Sequence, residues 1–364
     1  MAGIMQYVAR HSPKQSEIVE AIRMQILSGD MPRGAQLPPV TELAGLHKAS
    51  TRTVQNAMHH LKRAGYIQSS KGVGNYVSDS PPHLCHFGLI IGQGKQQFFS
   101  AWEQQVHLFN RAKPGPEGLK RRISVFRDPD GPNVTDYGKL VAAVQQHTIG
   151  GLIFTLPPYR FKGTPVLDEP HLPRVAIQPW PEKGLVAVVL GDFTDKALGY
   201  IAARGRKRVG LIVHSAYESG DFCERMIASA SRYGLTCRRH WMQGVFLTTP
   251  TWAANSAESI LRGPEADRPD ALLIMDDNLV PYAIDGVLAT GLRVPEDLDV
   301  VAHCNFPYIT GGDLRIKHIG YHIPKLLDFC MDLIGRQQRR EELPGMVSFP
   351  AHLDDELQRL GTEP

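Results

Sequence analysis

Residues 50–65 read STRTVQNAMHHLKRAG, and their pattern decides the architecture of the first domain. Ser50 is a good helix N-cap, Val54, Met58 and Leu61 recur at helical spacing, and Gly65 stops the run. The opposite face carries Arg52, Gln55, Asn56, His59, Lys62 and Arg63. Taken alone, such a helix is an ordinary solvated surface helix, and only its surroundings give it a function. Upstream, Lys14–Gly29 places Ile18, Ile22 and Ile26 on one stripe beside Val19, and Gly29 and Pro32 end it. PRGAQLPP (32–39) leads into a short helix, Val40–Leu46, and the turn HKAS (47–50). Downstream, Tyr66–Ser69 and Asn75–Ser78 read as two strands around the hairpin tip Lys71-Gly72-Val73-Gly74.

Charge sharpens this reading. Net charge is only +3, but residues 1–80 hold nine Lys/Arg against five Asp/Glu. No acidic residue lies between Glu42 and Asp79, while Lys48, Arg52, Lys62, Arg63 and Lys71 do. A helix-turn-helix followed by a glycine-tipped hairpin in an acid-free stretch suits a polyphosphate duplex. Thr51, Arg52, Gln55 and Asn56 are the candidate base readers: Arg can bond guanine O6/N7 in bidentate fashion, and Gln or Asn adenine N6/N7. Lys48, Ser50, Thr53 and His59 complete the candidate DNA-contacting helix and turn. Lys71, Gly72 and Gly74 do so at the hairpin tip, where glycines permit close approach to the backbone.

Residues 14–77 resemble the winged helix-turn-helix of the GntR family, through ILSGDMPRGAQLP, TELAG, STRTVQNAMHHLKRAGYI and KGVGNYV. The resemblance covers that domain end to end. It departs at contact positions: the family's SRxTVR pattern has Arg where Thr51 and Gln55 stand, and Glu-Arg is common where Val40-Thr41 stands. The resemblance therefore implies DNA binding with its own operator preference.

At 364 residues and 42% hydrophobic composition, two or three domains are expected. The five cysteines are odd in number and lack a CxxC pair, which suits a reducing cytosol rather than a disulfide framework. No apolar run approaches the length of a membrane span, and no signal peptide is expected. SDSPPHL (78–84) is a polar, proline-bearing linker, and the connecting segment is placed at 78–86. Beyond it, apolar runs alternate with helical stretches: 87–92, 122–127, 150–157, 174–180, 186–192, 208–214, 270–277 and 298–304 as strands, with helices between most of them. Runs without internal alternation, separated by helices, indicate parallel strands buried on both faces. The fold class is α/β, with two doubly wound lobes over 87–353 following an N-terminal domain over 1–77, and a tail over 354–364.

Residues 87–353 resemble the effector domain of LacI/GalR regulators, which is itself similar to periplasmic sugar-binding proteins. RGRKRVGLIVHS and RPDALLIMDD…AIDGVLATGLRVPEDLDVVAHCNFP carry the likeness. A GntR-type reader joined to such a sensor is similar to arabinose-responsive repressors, here with no LacI-type hinge helix expected. The resemblance implies a cleft between two lobes that takes a small polar effector, a sugar or sugar derivative. It suggests Gln93, Phe99, Arg225, Asp276, Cys304 and Asn305 as effector-binding residues. Asp277 matches a family Asp and could also cap the following helix; Asp192 lies near a lobe crossover and reads as structural. Cys304-Asn305 stands where the family often has Asp-Asp, and a thiol is a poor partner for a sugar hydroxyl.

Other constellations carry less. His83, Cys85 and His86 are three potential ligands within four residues and cannot easily share one tetrahedral ion, so no metal is expected. Gly92-Gln-Gly94 lacks the rest of a dinucleotide fingerprint, and no GxSxG, HExxH or Walker motif occurs. Asp276-Asp277 as a catalytic pair is disfavoured because adjacent strand positions face opposite ways. The expectation is a cytoplasmic, non-enzymatic repressor without a cofactor. It binds a double-stranded operator, responds to a small effector and forms a homodimer through its sensor lobes. The rival reading keeps DNA binding but gives the cleft to dimerisation or a protein partner.

Overall fold

A computed structural model describes residues 13–70, 73–92, 100–111, 121–127, 134–170, 172–215, 220–312 and 314–359. The first unit packs α1 (Pro13–Ser28), α2 (Val40–Leu46) and α3 (Thr51–Arg63) against a hairpin of β1 (Ile67–Ser70) and β2 (Gly74–Val77). Ile18, Ile22 and Ile26 meet Leu43, Val54, Ala57, Met58 and Leu61 in one core, closed by Tyr66, Ile67 and Val77. Each well-buried aliphatic side chain contributes about 1.5–3 kcal/mol, enough for a unit of this size to hold together. The hairpin gains a third short partner: Leu37 N–H donates to Asn75 O at 2.9 Å, and Val77 N–H to Ala35 O at 2.9 Å.

The polar, proline-bearing connector is packed rather than open. Pro82–Cys85 forms one helical turn, α4, and Pro81, Pro82, His83 and Cys85 are all buried. The Cys85 thiol donates to the carbonyls of Ser80 and Pro81, both at 3.0 Å. The His83 ring stacks on Tyr66 of the first unit, with centroids 5.9 Å apart and planes 8° apart. Behind it, the His83 backbone lies against Gly150, where a Cβ would sit 2.5 Å from His83 Cα. Gln338 donates to the carbonyls of both His83 and Gly150. Prolines and apolar ring faces made this segment worth burying, which a count of polar residues does not register.

Two six-stranded sheets follow. The first contains β3 (His86–Ile91), β4 (Arg122–Arg127), β5 (Gly151–Phe154), β6 (Arg174–Ile177) and β7 (Val186–Gly191), interleaved with α5 (Ser100–Arg111), α6 (Val134–Gln145) and α7 (Pro165–Asp168). After β7 the chain crosses to the second lobe through α8 (Phe193–Ala203). There β8 (Val209–His214), α9 (Phe222–Arg232), β9 (Met242–Val245), α10 (Trp252–Leu261), β10 (Ala271–Ile274), α11 (Val280–Ala289), β11 (Asp299–Phe306) and β12 (Lys317–His322) alternate. Helix α12 (Ile323–Gln338) returns to the first lobe, where β13 (Met346–Pro350) pairs with β7. A third crossing delivers β14 (His352–Leu353) and α13 (Asp354–Arg359) to the second.

The strand orders are β4-β3-β5-β6-β7-β13 and β9-β8-β10-β11-β12-β14, parallel throughout except for β14. Strands buried on both faces explain the unalternating apolar runs. In both lobes the order reverses beside the first strand, between β3 and β5 and between β8 and β10. Open α/β sheets bind ligands beyond the carboxyl ends of the strands at that reversal. Strands β9 and β12 were not anticipated, because MQGV and KHIGYH are short and partly polar.

Candidate nucleic-acid interface and effector cleft

Helix α3 is held at its start by Ser50, whose Oγ accepts from Thr53 N–H at 3.1 Å and lies 2.8 Å from Thr53 Oγ1. Both hydroxyls are therefore engaged in capping. Thr51, Arg52, Gln55, Asn56, His59, Lys62 and Arg63 are exposed along one side, Thr53 is half-buried, and no acidic side chain interrupts them. Lys48 is exposed at φ +48° in the turn before the helix, which Ala49 N–H closes by donating to Ala44 O at 2.9 Å. Gly74 takes φ +138°, and a Cβ there would sit 3.1 Å from Gln36 Nε2, whose amide is bonded to Val73 O. Lys71 and Gly72 lie outside the described residues. The described part has what a duplex requires: a capped helix N-terminus, unpaired donors and acceptors at successive turns, and cations at the margins.

At the reversal in the second sheet, β8 ends at His214 with Ser215 next, and Asp276-Asp277 follow just past the end of β10. The Asp276 carboxyl lies close enough to His214 for its charge to act on the imidazole, and Ser215 directly follows His214. The two aspartates lie past the end of β10, so strand alternation does not separate them. The Asn278 side-chain amide reaches Asp276 Oδ1 at 2.8 Å and Asp277 Oδ1 at 3.3 Å. Asp277 does not cap α11. Its Oδ2 accepts from Asn305 Nδ2 at 2.8 Å, and its Oδ1 lies 3.8 Å from His303 Nδ1. Burial, with Asp277 alongside, holds the Asp276 carboxyl above the usual carboxylate range. Burial also holds the His214 imidazole below its usual range.

Cys304 is the correction. It is fully buried with Phe306 and Leu357, and its thiol donates to Tyr308 O at 3.2 Å. Neighbours on a strand point to opposite faces, so Cys304 cannot share the site that Asn305 enters. The same alternation puts His303 on Asn305's face, where it meets Phe193 edge-on at 5.4 Å and Tyr321 at 6.0 Å. His303 was legible in principle as the residue two before Asn305. Ser215, Asn278 and Gln178 needed the register and the turn geometry. Gln178, just past β6 in the first lobe, donates from Nε2 to Trp180 O at 2.9 Å, while its Oε1 is buried without a partner. Ser215 Oγ and His303 Nδ1 are likewise buried and unpartnered.

Arg225 opens α9 on the carboxyl side of β8, but its side chain is exposed and ion-paired with Asp221. Nothing described brings it to Asp276 or Asn305. Gln93 and Phe99 lie outside the described residues. Asp192 directly follows β7 at φ +64°, at the first lobe crossing, in keeping with a structural role. Among the described residues no cluster of three His, Cys, Asp or Glu side chains could hold a metal ion, and no helix is long and apolar enough to cross a membrane.

Fold and surface together define a winged helix-turn-helix DNA-binding domain joined to a periplasmic-binding-protein-like domain. Residues 14–77 match the profile of bacterial regulatory proteins of the gntR family, and residues 198–348 that of a periplasmic binding protein-like domain. The HTH-type transcriptional repressor YtrA of Bacillus subtilis is 35% identical over 100 residues, 27% of this chain and 77% of that protein. The arabinose metabolism transcriptional repressor of Geobacillus stearothermophilus is 20% identical over 323 residues, 84% of this chain and 86% of that one. Among solved structures, a putative ribose operon repressor from Burkholderia thailandensis superposes with a TM-score of 0.54 at 20% identity, covering 74% of this chain and 98% of that one. That likeness concerns the fold. The chain belongs to the gntR family of bacterial regulatory proteins, and it is a DNA-binding transcription regulator, not an enzyme.

Proposed function

We propose that this protein is a cytoplasmic repressor whose grip on its operator is set by a small polar effector bound between the two lobes. The observation that carries the reading is the set of buried, unpartnered polar atoms at the carboxyl strand ends: Ser215 Oγ and His303 Nδ1 in one lobe, Gln178 Oε1 in the other. Each such atom costs about 1–3 kcal/mol unless something bonds it. A ligand that bonds groups of both lobes stabilises their closed arrangement by its differential affinity for it. Gln178, Ser215, Asp276, Asp277, His303 and Asn305 are its proposed contacts, with Arg225 at the rim.

The shift reaches DNA through the connector. Helix α12 starts at the second lobe crossing and ends at Gln338, which bonds the His83 carbonyl beneath the DNA-binding domain. In a homodimer, a small movement there alters the spacing of two reading helices, and half-site spacing controls affinity. The named role of the Geobacillus relative in arabinose metabolism supports a sugar or sugar derivative as the effector class.

The test starts with full-length protein and the genomic fragments it retains, followed by fluorescence anisotropy on the shortest retained duplex. A polar ligand that weakens operator binding about tenfold or more supports the reading. Intact operator binding that no sugar, amino sugar, sugar acid or sugar phosphate alters would leave the second domain as a dimerisation or partner module. Sedimentation should give twice the chain mass.

A further inference from the structure

The two well-buried carboxylates among the described residues are Asp277 and Asp299, and they are treated oppositely. Asp299 is met by two guanidinium groups, Arg206 Nε at 2.5 Å and Arg204 Nε at 3.4 Å. Asp277 is met by neutral amides alone, from Asn305 and Asn278, with His303 at 3.8 Å. Its neighbour Asp276 accepts from Asn278 N and Nδ2, both on Oδ1, and among the described residues its second oxygen has no donor. Among the described residues no Lys or Arg forms an ion pair with either aspartate. A buried carboxylate without a cation is costly, and two adjacent ones repel. Ser215, directly after β8 on the strand paired with β10, is only 6% exposed and keeps its hydroxyl unpartnered.

We propose that the missing cation belongs to the ligand: the effector is a polyhydroxy compound bearing a protonated amine, with an amino sugar as the fitting class. Its ammonium group is anchored by Asp276 and Asp277, while Ser215, His303 and Asn305 meet its hydroxyls. This rests on the ligand-gated reading above and narrows it. A sugar acid or sugar phosphate would add negative charge to an anionic pocket, and a neutral sugar would leave the carboxylates uncompensated. A metal ion fits less well, because Asp276, Asp277 and His303 do not converge as a ligand set.

The test is isothermal titration of the full-length protein with matched triads: glucosamine, glucose and glucuronate, then the galacto, manno and arabino series. In at least one series the amine should bind about tenfold or more tighter than its neutral twin, the ratio expected of one charge-assisted contact, and the acid should not bind. Asp277→Asn keeps an acceptor for Asn305 and should bring the amine down to its neutral twin's affinity. Asp276→Asn provides the same comparison if the first variant melts abnormally. A neutral or acidic member that binds as tightly as its amine overturns the amine assignment and leaves ligand gating standing. Silence from every triad, with operator binding intact, overturns both.

Discussion

The outer face of α3 and the floor of the second lobe both line up polar side chains for a partner, but they hold them in opposite ways. Along α3, Arg52, Gln55, Asn56 and His59 stand in water, anchored only by the apolar face beneath them. At the lobe floor, Asp277, Asn305 and Ser215 are under one-tenth exposed, and the first two are already bonded to each other. A water-exposed reader loses little stability when changed, because no buried partner is stranded. A buried binder is part of the core, so recognition and stability cannot be varied separately. DNA supplies its own charge and shape over a broad surface, whereas a small ligand must be enclosed.

The largest effect should come from beneath the reading face rather than on it. Leu61 is fully buried against α1 and the hairpin. Leu61→Ala should destabilise the DNA-binding domain by about 2–5 kcal/mol, seen as an earlier urea transition and lost operator binding. Effector titrations on the second domain should be unchanged. If they change as well, the two regions unfold as one and the contrast fails.

Between the two regions lies a junction sensitive to acid. Burial first, then nearby Arg23, holds His83 down to about 4, and burial likewise holds His147 down to about 4. A folded-state pKa below the unfolded value near 6.5 means that the fold excludes the proton. This stability is complete above about pH 6.5 and is lost as pH falls toward 4. At pH 5 the loss should be roughly 2–3 kcal/mol in all, with His147 contributing less because its edge is wetter. Asp276, shifted upward, works in the opposite direction. Urea melts from pH 7 to 5 check this, and His83→Phe, which keeps a ring on Tyr66, should flatten the curve.

A matched pair tests the contrast directly. Asp277→Ala strands the Asn305 amide in a dry site and should cost about 1–3 kcal/mol of stability. Arg52→Ala should stay within about 0.5 kcal/mol in melting, yet lose roughly 1–3 kcal/mol of operator affinity through a bidentate base contact. Equal loss on operator and random DNA would assign Arg52 to phosphate instead.

How legible each region was follows from the same physics. The stripe Ile18, Ile22, Ile26, the cap Ser50 and the stop Gly65 are local signals, so α1, α3 and the hairpin could be read directly from the chain. The parallel strands were legible as apolar runs. The lobe floor depends on long-range pairing: Ser215 and Asp277 are more than sixty residues apart and reach the same end of the sheet only because β8 pairs with β10. Cys304 and Asn305 form a pair in the resemblance, but strand alternation gives them opposite faces and packs Cys304 with Phe306 and Leu357. The buried connector escaped for a related reason, since His83 is dry only because Tyr66 and Gly150 come to meet it.

Ser50 gives the smallest effect and the sharpest division between holding a helix and touching a partner. Its hydroxyl accepts from Thr53 N–H, so Ser50→Ala should lower the stability of the DNA-binding domain by about 1 kcal/mol. Asp caps as well as Ser, so Ser50→Asp should melt like the parent. If the helix start also faces phosphate, the added carboxylate repels it, and Ser50→Asp should bind operator more weakly than Ser50→Ala despite being the more stable protein. The two variants would then rank in opposite orders by melting and by DNA affinity. The same rank in both measurements would make Ser50 a cap alone and move the phosphate contact to Lys48 or further along α3.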